Sequence, residues 1–103
     1  MIRCKFNGIN GTFSDFEIVG HASYSKKGQD IVCAAVSAVS QHTARALEKD
    51  GANVKIKEGY LKVEDIPNNE ISQRFVSELI KTLEDIAQQY PSYIHLEVDD
   101  DAH

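Results

Sequence analysis

Apolar residues recur at every second position near both ends of this chain, and at every third or fourth position in two long stretches between. That change of period decides the fold class. In MIRCKF, Ile2, Cys4 and Phe6 alternate with Arg3 and Lys5, the pattern of a strand with one buried face. FSDFEIVG resumes it, with Phe16, Ile18 and Gly20 on one side and Glu17, Val19 and His21 on the other. NGING between them carries turn chemistry, so the two segments read as a hairpin. From Ile31 the spacing turns helical through Val32, Val36, Val39, Thr43, Ala46 and Leu47, and Asp50-Gly51 supplies a stop. Val54 with Ile56, then Leu61 with Val63, mark two short strands around a turn near Glu58-Gly59. A second helix opens at Pro67-Asn68-Asn69-Glu70 and ends at Pro91. Its apolar face reads Ile71, Phe75, Leu79, Leu83, Ile86 and Tyr90, an ordinary core stripe open to extension into a subunit interface. Ile94, Leu96 and Val98 form a last strand, and DDDAH, residues 99–103, is expected to be a frayed acidic tail.

The order ββαββαβ predicts an α+β fold, a mostly antiparallel or mixed sheet packed with two helices. With 103 residues and no Pro- or Gly-rich linker, the chain reads as one domain, residues 1–103. A net charge of −5 disfavours binding through the phosphate backbone of nucleic acid, so no direct nucleic-acid partner is expected. No apolar run of 18 residues and no N-terminal signal pattern occur, so no membrane association is expected. Cys4 and Cys33 are the only two cysteines, without the spacing of a zinc site, and suit a reducing cytoplasm. Neither a metal nor a cofactor is expected.

The chemistry concentrates in GHASYSKKGQDIVCAAVSAV, residues 20–39. A helix that follows a strand and packs back over the same sheet runs roughly antiparallel to it. His21 at the strand's end and Cys33 at the helix's start then share one edge, with residues 22–29 as a mobile loop between them. With Asp30 as N-cap, Cys33 takes the third helical position, where unpaired N–H groups and the helix dipole favour a thiolate. An adjacent imidazole can accept the thiol proton, and the same N–H groups can receive the oxyanion formed on an attacked carbonyl. Asp30 has two roles open to it: capping the helix, or orienting His21 as a third catalytic member. Ser37 lies one turn beyond Cys33 on the same face, either supporting the site or simply leaving room. Ala34, Ala35, Ala38, Ser40 and Ala44 point to close packing, and Ala34 beside the thiol joins the candidate supporting residues.

These residues also resemble a known signature. GHA, a loop, then G-x-D-I-V-C-A-A-V-S is similar to the motif of the ribosomal-processing cysteine protease family, often called Prp. The resemblance implies a cytoplasmic cysteine endopeptidase, usually a homodimer. Such an enzyme removes the short N-terminal extension of large-subunit ribosomal protein twenty-seven during ribosome assembly. It puts the catalytic histidine and cysteine at His21 and Cys33, the family aspartate at Asp30 and the helix serine at Ser37. Gly20, Ala22 and Gly28 match its small residues.

Blander readings stand beside these. Most cysteines are small core hydrophobes, and Cys4, alternating with Ile2 and Phe6, is read as one of them. His42, His95 and His103 share no ligand spacing and are read as exposed. The alternative functions are a non-catalytic ribosome-assembly binding module and a redox sensor. The acidic balance weakens the first, and the absence of a nearby resolving cysteine weakens the second.

Overall fold

The computed structural model describes residues 1–20 and 27–101, with side chains for all of these except 27–30 and 101. Seven elements follow in the expected order: β1 (Ile2–Ile9), β2 (Thr12–Val19), α1 (Lys27–Lys49), β3 (Asn53–Lys57), β4 (Tyr60–Glu64), α2 (Glu70–Gln89) and β5 (Ile94–Asp101). The strands form one mixed sheet in the order β3-β4-β2-β1-β5. β1 is antiparallel to β2 and parallel to β5, while β4 lies antiparallel between β2 and β3. Expectation and structure agree on an α+β fold.

The β1–β2 hairpin turns at Asn10 and Gly11, both with positive φ (54° and 79°). That pair is what a two-residue turn between right-twisted strands demands, and Asn-Gly meets it at little cost. β1 therefore runs to Ile9, further than the NGING run suggests, with a register irregularity at Asn7/Gly8. The even-numbered positions of β1 and, beyond the irregularity, those of β2 from Phe16 point to one side: Ile2, Phe6, Phe16 and Ile18 are fully buried, and Cys4 nearly so. The Phe6 and Phe16 rings stack there at 4.9 Å. Leu61, Val63 and Ile94 extend this apolar face, and both helices cover it with Val32, Val36 and Leu47 from α1 and Val76, Leu79 and Leu83 from α2.

Four expectations need correction. α1 begins at Lys27, so residues 27–29, expected in the loop, are helical, and Asp30 lies in the first turn instead of at the N-cap. Asp favours both positions, since a carboxylate also stabilises a first turn through the dipole. Lys27 and Gln29 are good helix formers, so the helix gains a turn. Ala22 and the rest of residues 22–26 lie outside the described residues. The acidic tail is not frayed over residues 99–101: Asp99, Asp100 and Asp101 pair with Asn7, Gly8 and Ile9 of β1. Main-chain pairing is indifferent to the exposed carboxylates, and the Gly11 N–H donates to Asp100 Oδ1 at 3.0 Å. Ala102 and His103 lie outside the described residues. Finally, the buried face of α2 is Ser72, Val76, Leu79, Ile80 and Leu83. It is rotated from the expected stripe, which leaves Ile71 66% exposed.

α2 starts as the sequence indicates, with the Asn69 side chain accepting from the Ser72 N–H at 2.8 Å. One turn in, Gln73 ties the helix to the hairpin. Its Oε1 accepts from the Phe13 N–H at 2.7 Å, and its Nε2 donates to the carbonyls of Phe13 (2.9 Å) and Pro67 (3.1 Å). Substituting Gln73→Ala leaves a half-buried main-chain pair unsatisfied and should lower unfolding stability by about 2–3 kcal/mol. Urea melts of the two proteins measure it.

Candidate active site

The topology fixes where α1 must lie. Its C-terminal end feeds β3, whose first residue Asn53 pairs with Glu64, the last residue of β4. The end of β2 sits at the other end of the sheet, where Val19 pairs with Tyr60, the first residue of β4. A helix of 23 residues, about 34 Å long, therefore runs back across the sheet antiparallel to β2. Its first third lies toward the rim at which β2 ends. The expected arrangement, a strand end and a helix start at one edge, is the one found.

At that rim the chain is held tightly. The Gly20 N–H donates to the Gly59 carbonyl at 2.8 Å, and the Ile2 N–H to the Tyr93 carbonyl at 2.8 Å. Gly20 has φ +93°, and a Cβ there would stand 2.8 Å from the Met1 carbonyl oxygen. Both facts require glycine: the left-handed φ strains any other residue, and the backbone of β1 leaves no room. Gly20 thus breaks the two-residue alternation of β2 immediately before His21 and sends the chain out of the strand. His21 itself lies outside the described residues.

Cys33 is the seventh residue of α1, in its second turn. This corrects the expectation that it occupies the third helical position. Beyond the fourth residue the backbone N–H groups are engaged in the helix ladder, and the dipole's influence falls off after the first turn. The open N–H groups of this helix belong to residues 27–30, one turn nearer the rim than the thiol. The Cys33 side chain joins the core cluster beside Val32 and Val36, yet it keeps 6% exposure. Cys4 is 1% exposed, and burial pushes its thiol up to about 12, which leaves it protonated and inert at neutral pH. Neither cysteine is in a disulfide.

The other candidates distribute along α1. Gly28 and Asp30 are in its first turn, Ala34 is exposed beside Cys33, and Ser37 is half-buried one turn beyond it. Ser40, read from the sequence only as a small residue of close packing, completes this stripe at i+7 from Cys33. It is 1% exposed, and its Oγ has no hydrogen-bond partner among the described residues. The i, i+4, i+7 spacing was the available signal. His42 and His95 are exposed, as expected. Among the described residues, no group of three or more His, Cys, Asp or Glu side chains stands together to hold a metal, and no helix is long and apolar enough to cross a membrane.

Comparison with known proteins bears on this arrangement. Residues 1–95 match the family model of the cysteine protease Prp. A search of curated proteins returned no match. Among solved structures, the chain is similar to SMU.848 from Streptococcus mutans, with 27% identity, a TM-score of 0.86 and coverage of 97% of this chain and 95% of that one. It also shares its fold with the essential ribosomal processing protease Prp from S. aureus in complex with a substrate peptide, at 23% identity, TM-score 0.86 and coverage of 96% and 100%. The same S. aureus enzyme with a covalently linked product peptide matches at 24% identity, TM-score 0.83 and the same coverage.

The rim geometry makes a direct prediction. Gly20→Ala should cost about 1–3 kcal/mol of stability through the positive φ and the close approach to Met1, whereas Gly51→Ala, whose Cβ would meet nothing within 4 Å, carries the strain of its own φ of +113° without the collision. Thermal denaturation of the two variants, with the larger loss in Gly20→Ala, checks it.

Proposed function

The chain belongs to the cysteine protease Prp family, and on that premise we propose that it removes the short N-terminal extension of large-subunit ribosomal protein twenty-seven during ribosome assembly. In this reading Cys33 is the nucleophile and His21 the general base and acid. The observation that carries it is the placement of Cys33 in the rim-side third of α1, the next element after β2, which ends at Val19, two residues before His21 in sequence. The S. aureus relatives of the same fold bind a substrate peptide and a covalently linked product peptide, which agrees with attack by an enzyme side chain.

The steps follow from the groups. His21 takes the Cys33 proton, and the thiolate adds to the scissile carbonyl. The tetrahedral intermediate collapses as the imidazolium gives its proton to the departing amine, leaving a thioester on Cys33. A water molecule, deprotonated by His21, hydrolyses that thioester and releases the new carboxyl terminus. The N–H groups of the first turn of α1 stand on the rim side of Cys33 and are the nearest set of open helix donors for the oxyanion. Asp30, in that turn, either stabilises the helix start or orients His21. Ser37 lines the same stripe as the thiol, and Gly20, Ala22, Gly28 and Ala34 are assigned supporting roles as residues whose small size leaves room for a peptide. A thiol chemistry of this kind, acting on assembling ribosomes, belongs in the cytoplasm.

The working unit is a homodimer. The outer surface of the helices supports this: Ile31 is 62% and Ile71 66% exposed, and Ala34, Ala35 and Ala38 are exposed between Ile31 and His42. A groove of about 460 Å³ between α1 and α2 is floored by Val39, Phe75 and Leu79. Arg74 and Glu78, both lining it, are one turn apart on α2, so a second copy related by a two-fold axis would set each against its opposite charge. Ile71→Glu should convert the dimer to monomer in light scattering, with wild-type circular dichroism.

Activity is tested on the extended ribosomal protein by mass spectrometry of the new N-terminus. Cys33→Ala should abolish cleavage and His21→Ala reduce it by at least about 100-fold, both while folded. Binding without cleavage by the wild type would instead favour a non-catalytic assembly module.

A further inference from the structure

The chain's charge of −5 is not spread evenly over its surface. Both helices cover one face of the sheet, and the strand register sorts the side chains of the other face into rows across the strands. One row reads Glu97, Lys5, Glu17, Lys62 and Lys55 from β5 to β3. The next, toward the rim where β2 ends, reads His95, Arg3, Val19, Tyr60 and Lys57. Together these rows hold five Lys or Arg side chains and His95 against two carboxylates. Glu97 lies 3.9 Å from Lys5, and Glu17 stands close enough to the Tyr60 phenol to oppose its ionisation. Arg3, Lys55, Lys57 and Lys62 form no ion pair among the described residues. A third row, at the far end, turns acidic with Asp99 and Asp15 flanking Asn7, which confines the positive potential to the rim half of the face.

We propose that the rim half of this open sheet face holds the phosphate backbone of structured RNA. The occupant follows from the chemistry. Arg3, Lys55, Lys57 and Lys62 are spread over three strands of a broad surface instead of converging on one point, which fits a polyanion better than a single charged group. A shallow depression of about 570 Å³ on this face is lined by Arg3, Lys5 and His95 together with both carboxylates, Glu17 and Glu97, so the contact falls to its cationic border at Arg3 and to Lys55, Lys57 and Lys62 beyond it. The two rings in these rows, half-buried Tyr60 and exposed His95, stand three strands apart, so successive bases have no continuous stacking platform, and the contact is to phosphates without sequence readout. The choice of RNA over other polyanions rests on the proposed ribosomal substrate, which is presented on an RNA particle. Holding that particle by its backbone would raise the local concentration of the peptide at the neighbouring rim. The sequence average hid this surface, because most of the compensating carboxylates lie on the helices and at the other end of the sheet, with Glu58, in the turn after Lys57, an exception at the rim.

The probe is a fluorescent RNA hairpin of about 20 nucleotides, followed by anisotropy between about 50 and 200 mM salt. Wild type should bind with a log–log salt slope of about −3, as for roughly three or four neutralised phosphates. Lys55→Glu/Lys57→Glu, on the exposed edge strand, should weaken binding at least tenfold at low salt and flatten the slope by about 2. Lys81→Glu on α2 should leave both unchanged, and all variants should cleave the free extension peptide like wild type. Absence of wild-type binding at low salt, equal losses in the Lys81→Glu control, or better competition by polyglutamate than by unlabelled hairpin overturns the proposal. Salt-dependent binding by a chain that cleaves no peptide would uphold this surface and refute the protease reading instead.

Discussion

The structure depends on β1 being paired on both sides, antiparallel to β2 and parallel to β5, with Ile2, Cys4 and Phe6 aimed at the helices. An antiparallel neighbour can be reached by a two-residue turn. A parallel one needs a crossover, and here the chain makes two, through α1 and α2. Those crossovers oblige both helices to span the sheet, and each buries an apolar stripe on the same side. Because α1 is the first crossover, its start is tied to the end of β2. The site is a by-product of that connection: whatever residues end β2 and open α1 are delivered to a common rim.

Much of this was legible in the residues. The seven elements follow from periodicity, the hairpin turn from the chemistry of NGING, and the start of α2 from the Pro67-Asn68-Asn69-Glu70 run. Strand order was not legible, because alternation says which face of a strand is buried but not which strand lies beside it. The start of α1 was misplaced because Asp30 signals equally well a cap and a first turn. The pairing of residues 99–101 was missed because acidic composition reads as a tail, while the ladder to β1 is made by main-chain groups that composition does not report. The α2 stripe was rotated because Ser72, fully buried, donates its hydroxyl to Asp50 Oδ2 at 2.8 Å, a satisfied polar residue where an apolar one was sought. At the site, the motif positions are visible in sequence, but the depth of Cys33 within the helix is not. That depth shifts the open backbone donors from the thiol itself to the turn between it and the rim.

Two thiols in one small domain illustrate how placement divides chemistry. Cys4, on the inner strand β1, is closed off by the helices above it, and burial holds it protonated. Cys33, on the helix that leaves the rim, sits in the same apolar cluster and is also buried, with 6% of its surface exposed. The same logic of faces governs charge. A sheet covered on one side offers a second side whose side chains are sorted into rows by register, so an acidic chain can still present a basic surface beside its rim.

The central claim is that Cys33 and His21 act as one unit at that rim. A substrate-like peptide chloromethyl ketone, followed by intact mass and peptide mapping, tests it most directly, since alkylation reports the nucleophile and its rate reports the partner. The expected result is a single adduct on Cys33 that forms at least about 100-fold faster in wild type than in His21→Ala. An adduct on Cys4, or equal rates in the two proteins, would contradict it.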